Sequence, residues 1–141
     1  MPNAERSDCS SLTPETATVM LVDDEPTTLL VVESFLRAEG YENVVLVDDS
    51  RRVLDLVAEV RPDVLLMDRM MPYVGGFEIL SSMRADAALA EIPVVILSSG
   101  DFDARREALG LGATEFVAKP IDRHELVLRL REILGFKAPE A

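Results

Sequence analysis

The stretch Val64-Leu65-Leu66-Met67-Asp68 decides how the rest of the chain is arranged. Four apolar residues in a row end in a carboxylate, and the residues that follow, Arg69-Met70-Met71-Pro72-Tyr73-Val74-Gly75-Gly76, are typical of a loop and a turn. A short apolar run bounded by turn residues predicts a strand buried on both faces of a sheet. Asp68 would then stand at the carboxyl end of a central strand, the edge where open α/β sheets bind ligands.

Four other apolar runs alternate with helical patterns along the chain. The five predicted strands cover residues 18–22, 44–47, 64–68, 94–97 and 114–118. A helix follows each of them; the first begins at Pro26 and stops at Gly40, and the last runs from about Asp122 to Leu134. Asp122 and Glu125 have the spacing of a capping box. Strands that alternate with helices predict an α/β fold, a doubly wound (βα)5 parallel sheet with helices on both faces.

A single folded domain is expected, because 141 residues suffice for a sizeable core. Residues 1–17 show no hydrophobic periodicity and are expected to form a disordered leader. The domain should cover residues 18–135, and residues 136–141 should be a tail or the start of a linker. Whether the chain stands alone or is the N-terminal part of a longer protein is left open.

The charge balance excludes several classes of partner. With 26 acidic and 14 basic residues the net charge is -12, which argues against direct nucleic-acid binding and against adhesion to anionic membranes.

Cys9 is the only cysteine, so no internal disulfide can form. No apolar run approaches the ~20 residues that span a bilayer, and no signal-peptide pattern is visible. A cytoplasmic protein is expected.

Polar side chains follow four of the five predicted strands. Asp23 and Asp24 follow the first strand, Asp68 ends the third, Ser98 the fourth and Lys119 the fifth. In a parallel sheet these ends share one edge, where three carboxylates would repel one another. Lys119 supplies one positive charge, and Mg²⁺, which prefers oxygen ligands, would supply two more.

Such a cluster suits phosphoryl transfer to a carboxylate. An aspartate that attacks phosphorus must approach an anion, and Mg²⁺ together with Lys119 would screen that repulsion. The Ser98 hydroxyl could donate a hydrogen bond to the transferring oxygens. The expected product is an aspartyl-phosphate.

Five motifs together resemble the receiver domain of bacterial response regulators. They are Val22-Asp23-Asp24-Glu25, Met67-Asp68-Arg69-Met70-Met71-Pro72, Gly75-Gly76-Phe77-Glu78, Leu97-Ser98-Ser99-Gly100 and Lys119-Pro120. Each motif alone is weak evidence for this family, but the occurrence of all five in this order at strand ends is specific for it. The resemblance covers roughly residues 18–134 and implies a flavodoxin-like sheet with strand order 2-1-3-4-5.

The resemblance also implies a role for each site residue. Asp68 would be the phosphoacceptor, Asp24 a direct ligand of Mg²⁺ and Asp23 a ligand mostly through water. The backbone carbonyl of Met70 would be a further metal ligand. Lys119 would pair with the phosphoryl group.

A switch and a slow hydrolysis follow from the same resemblance. Ser98 would move toward the phosphoryl group while Phe116 turns inward. The alternative that Phe116 is a plain core residue is left open. The Lys119-Pro120 bond would be cis. Met70 and Gly100 occupy the positions that flank the hydrolytic water, and neither side chain can orient it, so self-dephosphorylation should be slow.

The implied function is that of a phosphoacceptor receiver, which is not an enzyme beyond its own phosphorylation and dephosphorylation. A histidine kinase or histidine phosphotransfer protein would donate the phosphoryl group, and the face formed by helix 4, strand 5 and helix 5 would control an output domain or effector protein. Phosphorylation-dependent homodimerisation is left open. Leu30 and Val31, which lie off the apolar stripe of the first helix, would either dock the donor or pack against a neighbouring segment. His124 is expected to be exposed.

The sequence leaves three alternative functions open. A degenerate receiver would act as an interaction module without phosphorylation, but the Asp24, Asp68 and Lys119 positions are intact. A phosphohydrolase of the haloacid dehalogenase type usually carries Asp-x-Asp after its first strand, which is absent here. A flavodoxin-like FMN carrier would need a phosphate-binding Ser/Thr/Gly loop after the first strand, and none follows it.

Overall fold

A computed structural model describes residues 12–99 and 102–136 of the chain. Its elements are β1 (Thr18–Val22), α1 (Pro26–Ala38), β2 (Asn43–Val47), a 3-10 turn (Ser50–Arg52), α2 (Val53–Val60), β3 (Val64–Asp68), α3 (Gly76–Ala85), β4 (Val94–Ser98), α4 (Phe102–Gly110), β5 (Glu115–Ala118) and α5 (Arg123–Leu134). All four strand pairings are parallel, and the order is β2-β1-β3-β4-β5. The doubly wound (βα)5 sheet predicted from the sequence is confirmed.

The strand that ends in Asp68 is the centre of the sheet. β3 pairs with β1 on one side and with β4 on the other, and every residue of β3 and β4 is buried. Successive side chains of a strand point to opposite faces, so Leu65 and Met67 pack in one core while Val64 and Leu66 pack in the other. The continuous apolar run predicted this two-sided burial.

The helices divide between the two faces. α2, α3 and α4 cover the face of Leu65, and α1 and α5 cover the opposite face. β2 is an edge strand; only its Val47 is buried and its Leu46 is 39% exposed. The carboxyl ends of the five strands are left uncovered by this layering, and the polar residues of the motifs lie there.

The helix ends follow the sequence signals with one exception. Pro26 begins α1, and Gly40, with φ +96°, follows its end. Asp122 occupies the N-cap position of α5, but its side chain makes no capping hydrogen bond. The predicted capping box is therefore wrong; Glu125 lies in the first turn of α5, where a negative charge favours the helix dipole.

The chain next to both ends of the domain contacts the core. Of the expected leader, residues 1–11 lie outside the described part, whereas Thr13 and Thr16 form a turn and Ala17 is fully buried. After α5, Phe136 packs on the ring of Tyr41, with 6.1 Å between ring centroids; residues 137–141 are not described. Within the described ranges, no helix is both long and apolar enough to cross a membrane.

Candidate functional site

Asp23 is held at the end of β1 by backbone hydrogen bonds. Its N–H donates to the Val47 carbonyl at 3.1 Å, which extends the pairing of β1 with β2 past the last strand residue. Its Oδ1 accepts from the Glu25 N–H at 2.9 Å, and the residue is fully buried. Asp24, which follows it, is half-buried and opens toward the cleft. The two carboxylates thus differ in environment although they are adjacent in sequence.

Asp68 is placed by the end of β3 and by Gly76. The Gly76 N–H donates to the Arg69 carbonyl at 2.7 Å. A Cβ atom on Gly76 would overlap the Asp68 carbonyl oxygen and come within 3.0 Å of the Arg69 Cα. Only glycine allows α3 to start this close to the phosphoacceptor candidate. The sequence indicated a turn at Gly75-Gly76, but not this support of Asp68.

Lys119 reaches the acidic residues from β5, across the width of β4. Its N–H donates to the Ser98 carbonyl at 2.8 Å, and the bond to Pro120 is cis, as expected. Its Nζ lies 3.1 Å from Asp68 Oδ1 and 3.2 Å from Asp23 Oδ2. One ammonium group therefore joins two carboxylates from neighbouring strands.

The charges at this edge do not balance. Asp23, Asp24 and Asp68 each place one carboxylate oxygen within 4.8 Å of the others, and Lys119 is the cation that pairs with two of them. Burial, and then the charge of Asp23, raises the pKa of Asp68 above its ordinary value, although the ion pair with Lys119 acts the other way. Burial lowers the pKa of Lys119, but its carboxylate partners outweigh that effect and the pKa is raised. Three hard oxygen donors with excess negative charge fit a magnesium ion.

Ser98 and Phe116 are both buried. Ser98 is the last residue of β4 and is 4% exposed, and its backbone pairs with Ala118 next to Lys119. Phe116 is 3% exposed and packs in the core on the side of α4. Ser98 therefore lies at the cleft, whereas Phe116 lies beneath it with its ring turned inward.

The other predicted residues that the structure describes are exposed. Met70, whose backbone carbonyl is the predicted metal ligand, lies on the loop after β3 and is 71% exposed. Gly100, expected near the hydrolytic water, lies outside the described residues. Leu30 and Val31 are 62% and 43% exposed on α1, so neither is buried against a neighbouring helix. His124 is exposed, as expected.

Arg69 links the end of β3 to the helices on one side of the cleft, a contact that the sequence did not indicate. Its guanidinium carbon lies 4.5 Å from the centre of the Phe77 ring, and Nη2 lies 3.7 Å from Oε1 of Glu107 on α4. The residue after Asp68 therefore contacts both α3 and α4. The contact could not be predicted from the sequence, because it depends on how close α3 and α4 lie to each other in the folded chain.

Comparison with known proteins gives a consistent result. The response regulator receiver domain family matches residues 19–131. The DNA-binding response regulator MtrA of Mycolicibacterium smegmatis is 36% identical over 115 residues, which are 80% of this chain and 48% of MtrA. The chain spans about half the length, or less, of the curated relatives it matches.

Solved structures agree over nearly their whole length. The chemotaxis response regulator CheY4 of Vibrio cholerae is 28% identical, with a TM-score of 0.76, and the match covers 83% of this chain and 98% of CheY4. The receiver domain of a sensor histidine kinase from Pseudomonas aeruginosa, solved with a magnesium ion coordinated in the active-site cleft, is 31% identical with a TM-score of 0.77. That match covers 84% of this chain and 98% of the solved chain.

Proposed function

The chain belongs to the response regulator receiver domain family, and from that membership we propose that it takes a phosphoryl group from a histidine kinase or a histidine phosphotransfer protein onto Asp68. The observation that carries the proposal is the position of Asp68, with Lys119 Nζ at 3.1 Å and the carboxylates of Asp23 and Asp24 beside it. The protein would catalyse only its own phosphorylation and dephosphorylation, so it would not be an enzyme in the ordinary sense.

Mg²⁺ is the cofactor that fits these residues. Asp23, Asp24 and Asp68 would hold it together with the backbone carbonyl of Met70, and waters would supply the remaining ligands. When bound, the ion neutralises negative charge on the transferring phosphoryl oxygens. The excess negative charge of the three carboxylates over Lys119 supports this assignment.

The transfer itself needs little from the protein beyond position and charge. An oxygen of the Asp68 carboxylate forms the new P–O bond while the P–N bond to the donor histidine breaks and its electron pair stays on the imidazole nitrogen. Lys119 favours the ionised, nucleophilic form of Asp68 and then faces the phosphoryl oxygens. The Ser98 hydroxyl donates a hydrogen bond to one of them.

The donor would dock where α1 and the loop after β5 form a mainly apolar groove. This groove is lined by Thr27, Thr28, Val31, Val32, Lys119, Pro120 and Ile121. Leu30, which is 62% exposed, extends the apolar surface on α1. The groove includes Lys119 itself, so a protein seated there could present its phosphohistidine to Asp68.

The output surface would be the face of α4, β5 and α5. Arg105 of α4 donates to the Phe116 carbonyl at 3.3 Å and pairs with Glu115 at 3.3 Å. A shift of Ser98 toward a phosphoryl group would reach this contact through β4 and β5. The face would then control an output domain or effector protein, and a phosphorylation-dependent homodimer would use the same kind of change.

With a net charge of -12 we propose no direct nucleic-acid contact by this domain, and we propose a cytoplasmic location.

Incubation with acetyl phosphate tests the proposal against its rivals. With Mg²⁺, intact-mass spectrometry should find one added phosphoryl group, which should not form when a chelator is present. A folded protein without an adduct and without release of inorganic phosphate would indicate the degenerate, phosphorylation-independent receiver. Rapid phosphate release without an adduct would indicate the phosphohydrolase.

A further inference from the structure

Ser50 connects two loops at the rim of the acidic cleft. It begins the 3-10 turn after β2, and it is 6% exposed. Its Oγ donates to the Pro72 carbonyl at 2.5 Å and accepts from the Val74 N–H at 3.1 Å. One hydroxyl therefore holds two backbone groups of the loop that follows Asp68.

The segment that Ser50 holds is strained. Tyr73, between the two bonded groups, has φ +75°, and the Val74 N–H also bonds the Pro72 carbonyl at 2.9 Å. A three-residue turn with positive φ is a rare and costly arrangement, above all for a bulky residue. Such a conformation persists only where the surroundings fix it.

The neighbours of Ser50 add to this restraint. Asp49 Oδ1 accepts from the Arg51 N–H at 3.0 Å, which orders the turn that starts at Ser50. The Arg51 guanidinium carbon lies 3.9 Å from the centre of the Tyr73 ring. The guanidinium of Arg51 thus covers one face of the exposed Tyr73 ring, while Ser50 binds the backbone of the residues before and after Tyr73.

The restrained loop is the one that would supply the metal ligand. It starts at Asp68, carries the Met70 carbonyl and is tied at its far end, where the Gly76 N–H bonds the Arg69 carbonyl. Ser50 and Pro72 also line one pocket with Asp24. The bonds from Ser50 restrain the backbone in the middle of the loop, where the Met71 and Val74 side chains also pack against the core.

We propose that Ser50 is a positioning residue for the magnesium site, because its hydroxyl fixes the strained loop in the conformation that aims the Met70 carbonyl at the ion. This inference rests on the proposed function and deepens it. Residues that orient metal ligands without touching the metal commonly change affinity by about 10–100-fold when they are removed.

The test is the Mg²⁺ dissociation constant of the full, unphosphorylated chain, measured by isothermal titration calorimetry. Ser50→Ala should weaken Mg²⁺ binding about tenfold. Ser50→Cys, which keeps the volume but offers only a weak donor and acceptor, should give a smaller loss and serves if the alanine variant does not fold. Ser50→Thr retains the hydroxyl and should keep the affinity within about twofold of the wild type.

Thr114→Ala is the matched control. Thr114 Oγ1 also accepts from a backbone amide, the Val94 N–H at 3.1 Å, but at the opposite edge of the sheet. This variant should lose stability in urea without a change in Mg²⁺ affinity. If Ser50→Ala and Ser50→Cys both bind Mg²⁺ as tightly as the wild type, Ser50 is only structural and the inference is wrong. A folded wild type that does not bind Mg²⁺ would instead overturn the magnesium proposal itself.

Discussion

Lys119 Nζ lies between Asp68 Oδ1, at 3.1 Å, and Asp23 Oδ2, at 3.2 Å, although β4 separates the strand of Lys119 from the strand of Asp68. Adjacent strands are about 4.8 Å apart, so only a long side chain can cross one strand and reach the next. This bridge makes Lys119 the fixed counter-charge of the acidic cluster. Its removal should leave Asp23 buried without its cationic partner.

Lys119→Met tests that bridge. Breaking a largely buried ion pair on one side is destabilising, by about 3–5 kcal/mol where both charges are fully buried; because Lys119 is 24% exposed, we expect a smaller loss of about 1–3 kcal/mol. Urea unfolding at neutral pH measures it. Arg123→Met is the control, since Arg123 pairs with Glu39 at 2.9 Å but is 51% exposed, and its loss should cost under about 1 kcal/mol. Equal losses in the two variants would contradict the buried bridge.

Asp68→Asn should stabilise the protein when Mg²⁺ is absent. Burial, together with the charge of Asp23, raises the pKa of Asp68, so the folded state holds this proton more tightly than the unfolded chain. Asp68 thus contributes stability at low pH that is lost as the pH rises through the raised pKa. The urea midpoint of Asp68→Asn should exceed that of the wild type at pH 7, and the difference should disappear as the pH falls below the ordinary value of 3.8.

Mg²⁺ should reverse the order of the two urea midpoints, so that the wild type becomes more stable than Asp68→Asn. A ligand that binds only the folded state stabilises it more the more tightly it binds, and the variant lacks one carboxylate ligand.

The pH dependence tests the electrostatic cause. A stability gain of Asp68→Asn in the absence of Mg²⁺ that is the same at every pH would contradict that cause.

Gly76→Ala should disturb the end of β3. Its Cβ would overlap the Asp68 carbonyl oxygen, a backbone atom that cannot move cheaply, so we expect a loss of about 1–3 kcal/mol in urea and slower phosphorylation. Gly110→Ala is the control, because no atom other than those of its chain neighbours and its own helix backbone lies within 4 Å of its Cβ position. The control should be neutral or slightly stabilising. Unchanged phosphorylation in Gly76→Ala would show that Asp68 does not depend on this contact.

Donor recognition can be separated from the phosphorylation chemistry. Leu30→Glu puts a charge on the exposed surface of α1 and should slow transfer from a histidine kinase or phosphotransfer protein at least about tenfold, while phosphorylation by acetyl phosphate stays unchanged. Leu128→Glu is the matched control, since Leu128 is also exposed, at 46%, on α5. If both variants slow protein-mediated transfer equally, the docking surface is not centred on α1.

The phosphoryl group should be long-lived. Met70 points its exposed side chain to solvent and cannot orient a water for attack, so hydrolysis should take minutes or longer. Met70→Asn offers a hydrogen-bonding side chain and should shorten the lifetime severalfold. The rate at which inorganic phosphate is released after removal of acetyl phosphate gives the phosphoryl lifetime of the wild type and of Met70→Asn. A wild-type lifetime of only seconds would contradict this expectation.

Much of the fold was predictable because local patterns and the layer architecture agree. The run Val64–Asp68 indicated a strand buried on both faces, and Pro26 and Gly40 marked the ends of α1. The strand order needed the family resemblance, since apolar periodicity does not say which strands are neighbours. The convergence of Asp23, Asp24, Asp68 and Lys119 followed from their positions at strand ends.

Contacts between loops could not be predicted in this way. The role of Ser50 could not be predicted, because nothing in its own stretch of sequence shows that Pro72 and Val74 lie beside it. The need for Gly76 depends on how closely α3 approaches β3, which is a tertiary distance. The capping role expected of Asp122 failed because residue type and spacing do not fix where a side chain points.

The identity of the phosphoacceptor is tested most directly by intact-mass spectrometry after treatment with acetyl phosphate and Mg²⁺, with Asp68→Asn beside Asp55→Asn, whose carboxyl lies on an exposed position of α2. The wild type and Asp55→Asn should each gain one phosphoryl group, and Asp68→Asn should gain none while remaining folded. An adduct of equal yield on Asp68→Asn would contradict the account.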